Sequence, residues 1–136
     1  MSIAERLSEH LRDQGSDATV RSVTPLSGGA CQDLFRVVLD TDGSEQTWVL
    51  RSDASTSLPG SIPRAAEYPV VVAAHRAGVP TPEARWYGEG IVRDGAGAYL
   101  MTWQEGIALG GKVTRDPRLE QARQHLLEQL ARALAA

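Results

Sequence analysis

The sequence predicts an α+β fold, in which a five-stranded, mostly antiparallel sheet is crossed by one helix. A short helix precedes this sheet and a long helix follows it. Five short runs rich in β-branched and aromatic residues, separated by turn residues, indicate the strands. Apolar residues recur with a helical period near both ends of the chain. The 136 residues, 42% of them hydrophobic, are enough for one globular domain with its own core.

The composition excludes several classes of protein. Seventeen acidic against fourteen basic residues give a formal net charge of -3, so no cationic field favours a nucleic acid or an anionic membrane as partner. No segment approaches the roughly 18 to 20 apolar residues that a membrane helix needs. The N-terminus, with Glu5, Glu9 and Asp13, lacks the apolar core of a signal peptide. Because Cys31 also has no second cysteine to pair with, we expect a cytoplasmic protein.

The first two elements are a helix and a strand. Residues 2–14 place Ile3, Leu7 and Leu11 on one helical face, and Gly15 follows as a C-terminal stop. Residues 19–23 then alternate in the manner of a strand, which ends before Pro25 and the small-residue loop 27–31.

A β-hairpin is predicted next. Residues 34–39 and 47–51 are rich in β-branched and aromatic side chains, and the turn residues 41–44 separate them. The serines, prolines and glycine of residues 52–63 predict a solvated connection.

The second half of the sheet contains the crossing helix. Residues 64–78 have a helical composition, although Pro69 removes a backbone donor and is expected to begin or kink the helix there. Two further strands are predicted at residues 83–88 and 98–103, with a glycine-containing turn at 94–97.

The strongest helical pattern lies at the C-terminus. Asp116 is suited to the N-cap and Pro117 to the first helical position. The leucine stripe that follows reaches the last residue without a stop signal, and nothing after it covers its apolar face. We therefore expect a chain that is cut partway through a longer protein, with a helix that is available for homodimerisation.

A glycine loop lies between the first two strands. Ser27, Gly28, Gly29 and Ala30 leave the backbone accessible to a phosphate, because glycine has no Cβ and adopts positive φ freely. Paired glycines are also common in ordinary turns, and these residues alone leave both interpretations open. The loop precedes a strand instead of a helix, which excludes a dinucleotide-binding motif.

Arg51 ends the second strand of the hairpin in an otherwise apolar run. Such a cation either lies in solvent at the edge of the sheet or is directed at an anion. Glu67 on the following helix is a potential partner. Since Lys112 is the single lysine in the chain, a phosphate-binding cation on this strand has to be Arg51.

Together these features have the order of a protein-kinase-like small lobe: a glycine loop, a cation on the third strand, an acid on the next helix and two more strands. The specific segments are Leu26-Ser27-Gly28-Gly29, Trp48-Val49-Leu50-Arg51, Ala66-Glu67-Tyr68, Ala77-Gly78-Val79-Pro80-Thr81-Pro82 and Tyr99-Leu100-Met101-Thr102-Trp103-Gln104-Glu105-Gly106. On these segments the chain resembles the N-terminal lobe of the aminoglycoside phosphotransferase (choline kinase-like) family, over roughly residues 20–110.

The resemblance implies a binding role for ten residues. Ser27, Gly28, Gly29 and Ala30 would cover the phosphates of ATP. Arg51 would take the place of the strand cation that contacts the α and β phosphates, with Glu67 as the acid that orients it. The remaining four implied contacts are with adenine, through the side chains of Val49 and Met101 and the backbone of Thr102 and Gln104.

The chain departs from the family pattern at two residues and lacks one part of it. Arg51 replaces the usual lysine, and Pro69 interrupts the helix that presents Glu67. Nothing after Gly110 resembles the second lobe of the family, which carries the His-Gly-Asp type catalytic loop and the aspartate that holds Mg²⁺. The resemblance therefore implies no catalytic or metal-binding residue in this chain.

The expected organisation is an N-terminal helix (1–17), an ATP-facing lobe (18–110) and a linker and helix (111–136) that lead into a missing C-terminal lobe. The full-length protein is expected to transfer the γ-phosphoryl group of ATP to the hydroxyl of a small substrate, and the 136-residue chain alone is expected to be inactive. A non-catalytic binding or dimerisation module is the alternative, and an unrelated α+β fold with coincidental glycines is a third. The acceptor is not identified by the sequence.

Overall fold

The computed structural model describes residues 1–27, 32–56 and 58–136. In these ranges the secondary structure consists of α1 (Ile3–Asp13), β1 (Thr19–Pro25), β2 (Gln32–Thr41), β3 (Ser44–Asp53), α2 (Arg64–Arg76), β4 (Ala84–Glu89), β5 (Gly97–Thr102), α3 (Gly110–Arg115), a 3₁₀ turn (Pro117–Leu119) and α4 (Glu120–Ala135). The strands form one sheet in the order β1-β2-β3-β5-β4, and every neighbouring pair is antiparallel. This architecture confirms the predicted α+β fold.

Helix α1 is held at both ends by local signals. The Ser2 hydroxyl accepts a hydrogen bond from the Glu5 amide at 3.2 Å, and the Ser2 amide donates to the Glu5 carboxylate at 2.7 Å. This reciprocal capping box satisfies donors that a helix start otherwise leaves free. Gly15, with φ at +72°, follows the helix end. The boundaries predicted from the sequence are confirmed.

The β2–β3 hairpin closes on a two-residue turn. Thr41 pairs with Ser44, and the intervening Asp42 and Gly43 have φ values of 53° and 80°, which suit the right-handed twist of the strands. Both strands are longer than the apolar pattern indicated, because the pairing continues through polar residues to Gln32 and Asp53. The assignment of Ser52 to a solvated connection was wrong, since Ser52 is a buried strand residue.

The main hydrophobic core lies on one face of the sheet, under α1. Alternate residues of the central strands point toward that helix, as the two-residue period of a strand requires. The buried cluster consists of Leu7, Leu11, Val37, Leu39, Trp48, Leu50, Ile91, Ala98 and Leu100.

Helix α2 packs on the opposite face of the sheet. Its Tyr68 ring lies 5.4 Å from the Tyr99 ring of β5 and 5.5 Å from the Tyr87 ring of β4. The helix begins at Arg64, as the predicted range 64–78 indicated, and it continues through Pro69 to Arg76, so that it does not begin at the proline. Asp53 at the end of β3 accepts the Arg64 amide at 3.0 Å, so the cap comes from another element.

The C-terminal region differs from the sequence expectation in one element. A short helix, α3, precedes Asp116 and was not predicted. The Asp116 carboxylate accepts the Arg118 amide at 3.0 Å, which confirms its capping role, and the 3₁₀ turn that it caps leads into α4. The apolar residues Leu126, Leu127, Leu130 and Leu134 of α4 are exposed. None of the helices in the described ranges is long and apolar enough to cross a membrane.

Candidate functional site

Arg51 and Glu67 form a two-pronged ion pair on the α2 face of the sheet. The Arg51 Nε and Nη2 atoms donate to the two carboxylate oxygens of Glu67 at 3.1 and 2.6 Å. Strand β3 directs Arg51 toward α2, and the first turn of α2 places Glu67 opposite it. Parallel N–H···O bonds of this kind set both distance and orientation. The structure thus brings together the cation and the acid whose pairing the sequence left open.

Tyr99 completes the environment of the Glu67 carboxylate. Its hydroxyl donates to Glu67 Oε2 at 3.2 Å, and its ring is buried between the sheet and α2. Burial raises the pKa of Tyr99 to about 12, while the nearby Arg51 charge opposes that rise. The phenol therefore remains a hydrogen-bond donor throughout the physiological range.

Arg64 and Asp53 extend the network and were not identified from the sequence. The Arg64 guanidinium contacts Glu67 Oε2 and lies 3.4 Å from Asp53 Oδ1. Asp53 Oδ2 accepts the Gly97 amide at 3.1 Å, which joins the end of β3 to the start of β5. The three-residue spacing of Arg64 and Glu67 on a helix was the one available signal. No local pattern in the sequence distinguished Asp53 from the other acidic residues.

Apolar side chains lie beside Arg51 on the same face. Val49 and Met101 are direct cross-strand neighbours in β3 and β5, and Val49 precedes Arg51 by two residues. Both therefore point away from the α1 core. Arg36 of β2 lies opposite Val49 and places its guanidinium 5.7 Å from the Trp103 ring centroid. The result is an apolar surface bordered by an aromatic ring and a cation.

The segment after β5 offers backbone groups at the end of this surface. The Thr102 amide donates to the Glu83 carbonyl at 3.0 Å, so Thr102 has only its carbonyl to offer a ligand on that edge. Within the described part of the chain, the Gln104 backbone N–H has no hydrogen-bond partner. Its side-chain amide donates to Thr102 Oγ1 at 3.2 Å. Of the two residues whose backbone was expected to meet adenine, Thr102 therefore offers a carbonyl acceptor and Gln104 an N–H donor.

The described residues on either side of the glycine loop lie toward the opposite end of the same surface. Gly28, Gly29 and Ala30 lie outside the described residues, and Ser27 is exposed at the end of the described segment. The Leu26 amide donates to the Leu34 carbonyl at 2.8 Å, and Leu34 pairs with Arg51. Gln32, after the loop, therefore lies beside Asp53 at the end of β3, whereas Leu26, before the loop, is separated from β3 by β2.

The charged and apolar parts of the surface lie at a defined spacing. Thr102 is opposite Trp48 in the sheet, three residues along β3 from Arg51. At the rise of a strand this separation is about 10 Å. An elongated ligand with a flat apolar group at one end and an anionic group at the other matches this arrangement. Among the described residues, no group of three histidine, cysteine or carboxylate side chains is placed to hold a metal ion.

Comparison with known proteins gives one match. The model of the family described as "Phosphotransferase enzyme family" matches residues 22–136, which include every element from β1 to α4 except the first residues of β1. No curated protein and no solved structure matches the chain.

Proposed function

We propose that this chain, which belongs to the phosphotransferase enzyme family, is the nucleotide-binding part of a kinase that transfers the γ-phosphoryl group of ATP to a hydroxyl of a small substrate. The observation that carries the proposal is the Arg51–Glu67 pair, located about 10 Å along the sheet from Thr102, with the apolar Val49 and Met101 between them. We also propose that the protein is cytoplasmic, as we expected from the sequence.

The phosphate end of the proposed site depends on Arg51. Its Nε and Nη2 atoms are engaged by Glu67, which leaves the Nη1 edge of the fork for an anion. A guanidinium binds phosphate oxygens well and stays charged at every physiological pH. Ser27, Gly28, Gly29 and Ala30 are proposed to cover the same phosphates with backbone amides.

The base end of the proposed site depends on four residues. Val49 and Met101 supply an apolar floor on which a purine ring can lie. The Thr102 carbonyl accepts and the Gln104 amide donates, which matches the exocyclic amine and a ring nitrogen of adenine. Trp103 and Arg36 border this floor, so that the base is shielded on one side.

The catalytic contribution of this chain is positioning and charge neutralisation, which are the main requirements of phosphoryl transfer. The sequence has no His-Gly-Asp type segment and the described residues present no carboxylate set for Mg²⁺. We therefore propose that the base and the Mg²⁺ ligands come from a second lobe and that the isolated chain is inactive. ATP turnover by the purified chain that Arg51→Ala abolishes would contradict this part of the proposal.

Titration calorimetry with ATP and with adenosine tests the binding function. We expect the chain to bind both ligands and Arg51→Ala to lower ATP affinity about tenfold or more, because a charge-assisted contact with phosphate is lost. Adenosine affinity should change less than twofold. Arg21→Ala is the matched control, since Arg21 is an exposed strand arginine paired with Asp40. No ATP binding by the unaltered chain, or equal ATP affinity in both variants, would refute the proposal.

A binding or dimerisation module remains the second candidate, and the exposed leucines of α4 favour it. Leu127 and Leu134 are 81% and 89% exposed. If α4 mediates self-association, light scattering should show a dimer that Leu127→Glu converts to a monomer. A monomer at all concentrations would exclude this candidate.

A further inference from the structure

Arg64 is an almost fully buried cation at the start of α2. Only 4% of it is exposed, and its guanidinium lies between the carboxylates of Asp53 and Glu67. A buried charge is costly unless other charges compensate it. Its Nε atom pairs with Asp53 and its Nη1 atom with Glu67, but neither contact has the geometry of a hydrogen bond. Arg64 is therefore held by these two charges and by the hydrogen bond that its Nη2 atom donates to the Ile62 carbonyl.

The Glu67 carboxylate is shared by two arginines and one phenol. Arg51 contacts both of its oxygens, whereas Arg64 and Tyr99 both contact Oε2. These three partners come from β3, the first turn of α2 and β5. Since their contacts oppose rotation of the carboxylate, the plane in which Glu67 receives the Arg51 fork is defined before any ligand arrives.

Arg64 also changes the charge that Arg51 presents. With Arg51 as its single cationic partner, the Glu67 carboxylate would neutralise that arginine completely. Because Arg64 lies against the same carboxylate and is itself paired with Asp53, the two arginines and the two carboxylates balance in charge, and Glu67 is shared by two cations instead of serving Arg51 alone. Asp53 is the second acid of this network, and its carboxylate also accepts the Arg64 amide at Oδ1 and the Gly97 amide at Oδ2.

We propose that Arg64 is a positioning residue for Arg51: it holds and shares the Glu67 carboxylate so that the free edge of the Arg51 guanidinium faces a phosphate. This inference rests on the proposed nucleotide-binding function. It assigns Arg64 no contact with the nucleotide, and it places the effect in the phosphate-dependent part of the affinity.

The first measurement needs no nucleotide. In a ¹⁵N NMR spectrum of the full chain, we expect the Arg51 Nε–H signal to be protected from solvent exchange, and Arg64→Met to accelerate its exchange about tenfold or more. Arg76→Met, at the exposed C-terminal end of the same helix, is the control and should leave the signal unchanged. An Arg51 Nε–H exchange rate that is unchanged in Arg64→Met would overturn the inference, whatever the outcome of nucleotide binding.

The second measurement compares two ligands. Arg64→Met should weaken ATP binding about tenfold while adenosine binding changes less than twofold, and Arg64→Lys should recover part of the ATP affinity because it restores the charge. Equal losses for ATP and adenosine would show a merely structural role. If the wild-type chain binds no ATP, the proposed function fails, while the exchange measurement still decides the role of Arg64.

A folding control accompanies both measurements. If Arg64→Met lacks the circular dichroism of the native chain, Arg64→Lys decides in its place. Lysine keeps the charge but cannot span two carboxylates with a planar fork. We then expect faster Arg51 Nε–H exchange and ATP binding weakened about threefold. Native values for both quantities in Arg64→Lys would overturn the inference.

Discussion

The two faces of the sheet are built from opposite chemistry. Under α1, the side chains of Leu7, Leu50 and Leu100 are fully buried in an apolar cluster. Under α2, the neighbouring strand positions carry Arg51 and Tyr99, which meet Glu67 in a network of ion pairs and hydrogen bonds. Consecutive residues of β3 and β5 thus alternate between the two environments.

Stability and ligand binding therefore depend mainly on different faces of the sheet. The α1 face excludes water and supplies the hydrophobic free energy that holds the strands together. On the α2 face, about a fifth of the Arg51 and Glu67 side chains stays exposed, so that their charges remain available to a ligand. The sheet can therefore hold a charged site rigidly because its stability comes from the other side.

The largest expected effect comes from breaking the α1 face. Leu50→Ala should lower the free energy of unfolding by about 2–5 kcal/mol, because it removes a fully buried side chain and leaves a cavity. Urea denaturation followed by circular dichroism measures this change. Leu109→Ala is the matched control, since a 64% exposed leucine outside α4 should change it by less than about 0.5 kcal/mol. Similar losses in both variants would contradict the division between the faces.

The next effect comes from neutralising the centre of the α2 face. Glu67→Gln should cost about 2–3 kcal/mol, because it leaves the buried Arg64 with Asp53 as its remaining carboxylate. The same denaturation experiment measures the change. Glu45→Gln, at an exposed position of the hairpin, is the control and should be nearly neutral. A Glu67→Gln variant as stable as the control would show that the network contributes no stability.

Alkaline titration tests the burial of Tyr99 on the α2 face. Burial raises the pKa of Tyr99 to about 12, so between about pH 10 and pH 12 the unfolded chain loses this proton while the native chain keeps it. The native state then binds more protons, and the free energy of unfolding falls as the pH rises. The slope approaches about 1.4 kcal/mol per pH unit.

Tyr99→Phe should remove most of that dependence. Tyr87, whose pKa is raised by desolvation and by Glu89, contributes with the same sign, and Tyr87→Phe therefore measures the remainder. Denaturation midpoints at several pH values above 9 provide the data. If Tyr99→Phe keeps the full slope, another group is responsible for it.

The smallest expected effect lies at the edge of the α1 face. Ser2→Ala should cost about 1 kcal/mol, because it removes the capping box with Glu5. The thermal midpoint of the chain should fall accordingly. Ser8→Ala in the same helix is the control: its hydroxyl donates to the Ala4 carbonyl, a bond that adds little to helix stability. An equal fall in the thermal midpoint for both serine variants would contradict a special role for the capping box.

Local patterns in the sequence were sufficient for the elements that depend on near neighbours. The glycine that follows α1, the turn at Asp42 and Gly43 and the N-cap Asp116 are all present at the predicted positions. The pairing of Arg51 with Glu67 followed from element order and from the family resemblance. A boundary that depends on partners was less accurate, as Ser52 shows, whereas the predicted start of α2 at Arg64 is confirmed.

The sequence by itself determined the fold class and the order of the strands along the chain, which are read from spacing and residue type over a few positions. The residues that supply a cation, an acid and an apolar floor were implied by the family resemblance. Only the tertiary structure decided that Asp53 caps α2 and that Arg64 is buried against Glu67. These contacts join residues brought together by strand pairing, and the charge and burial of each group depend on neighbours that no local pattern specifies.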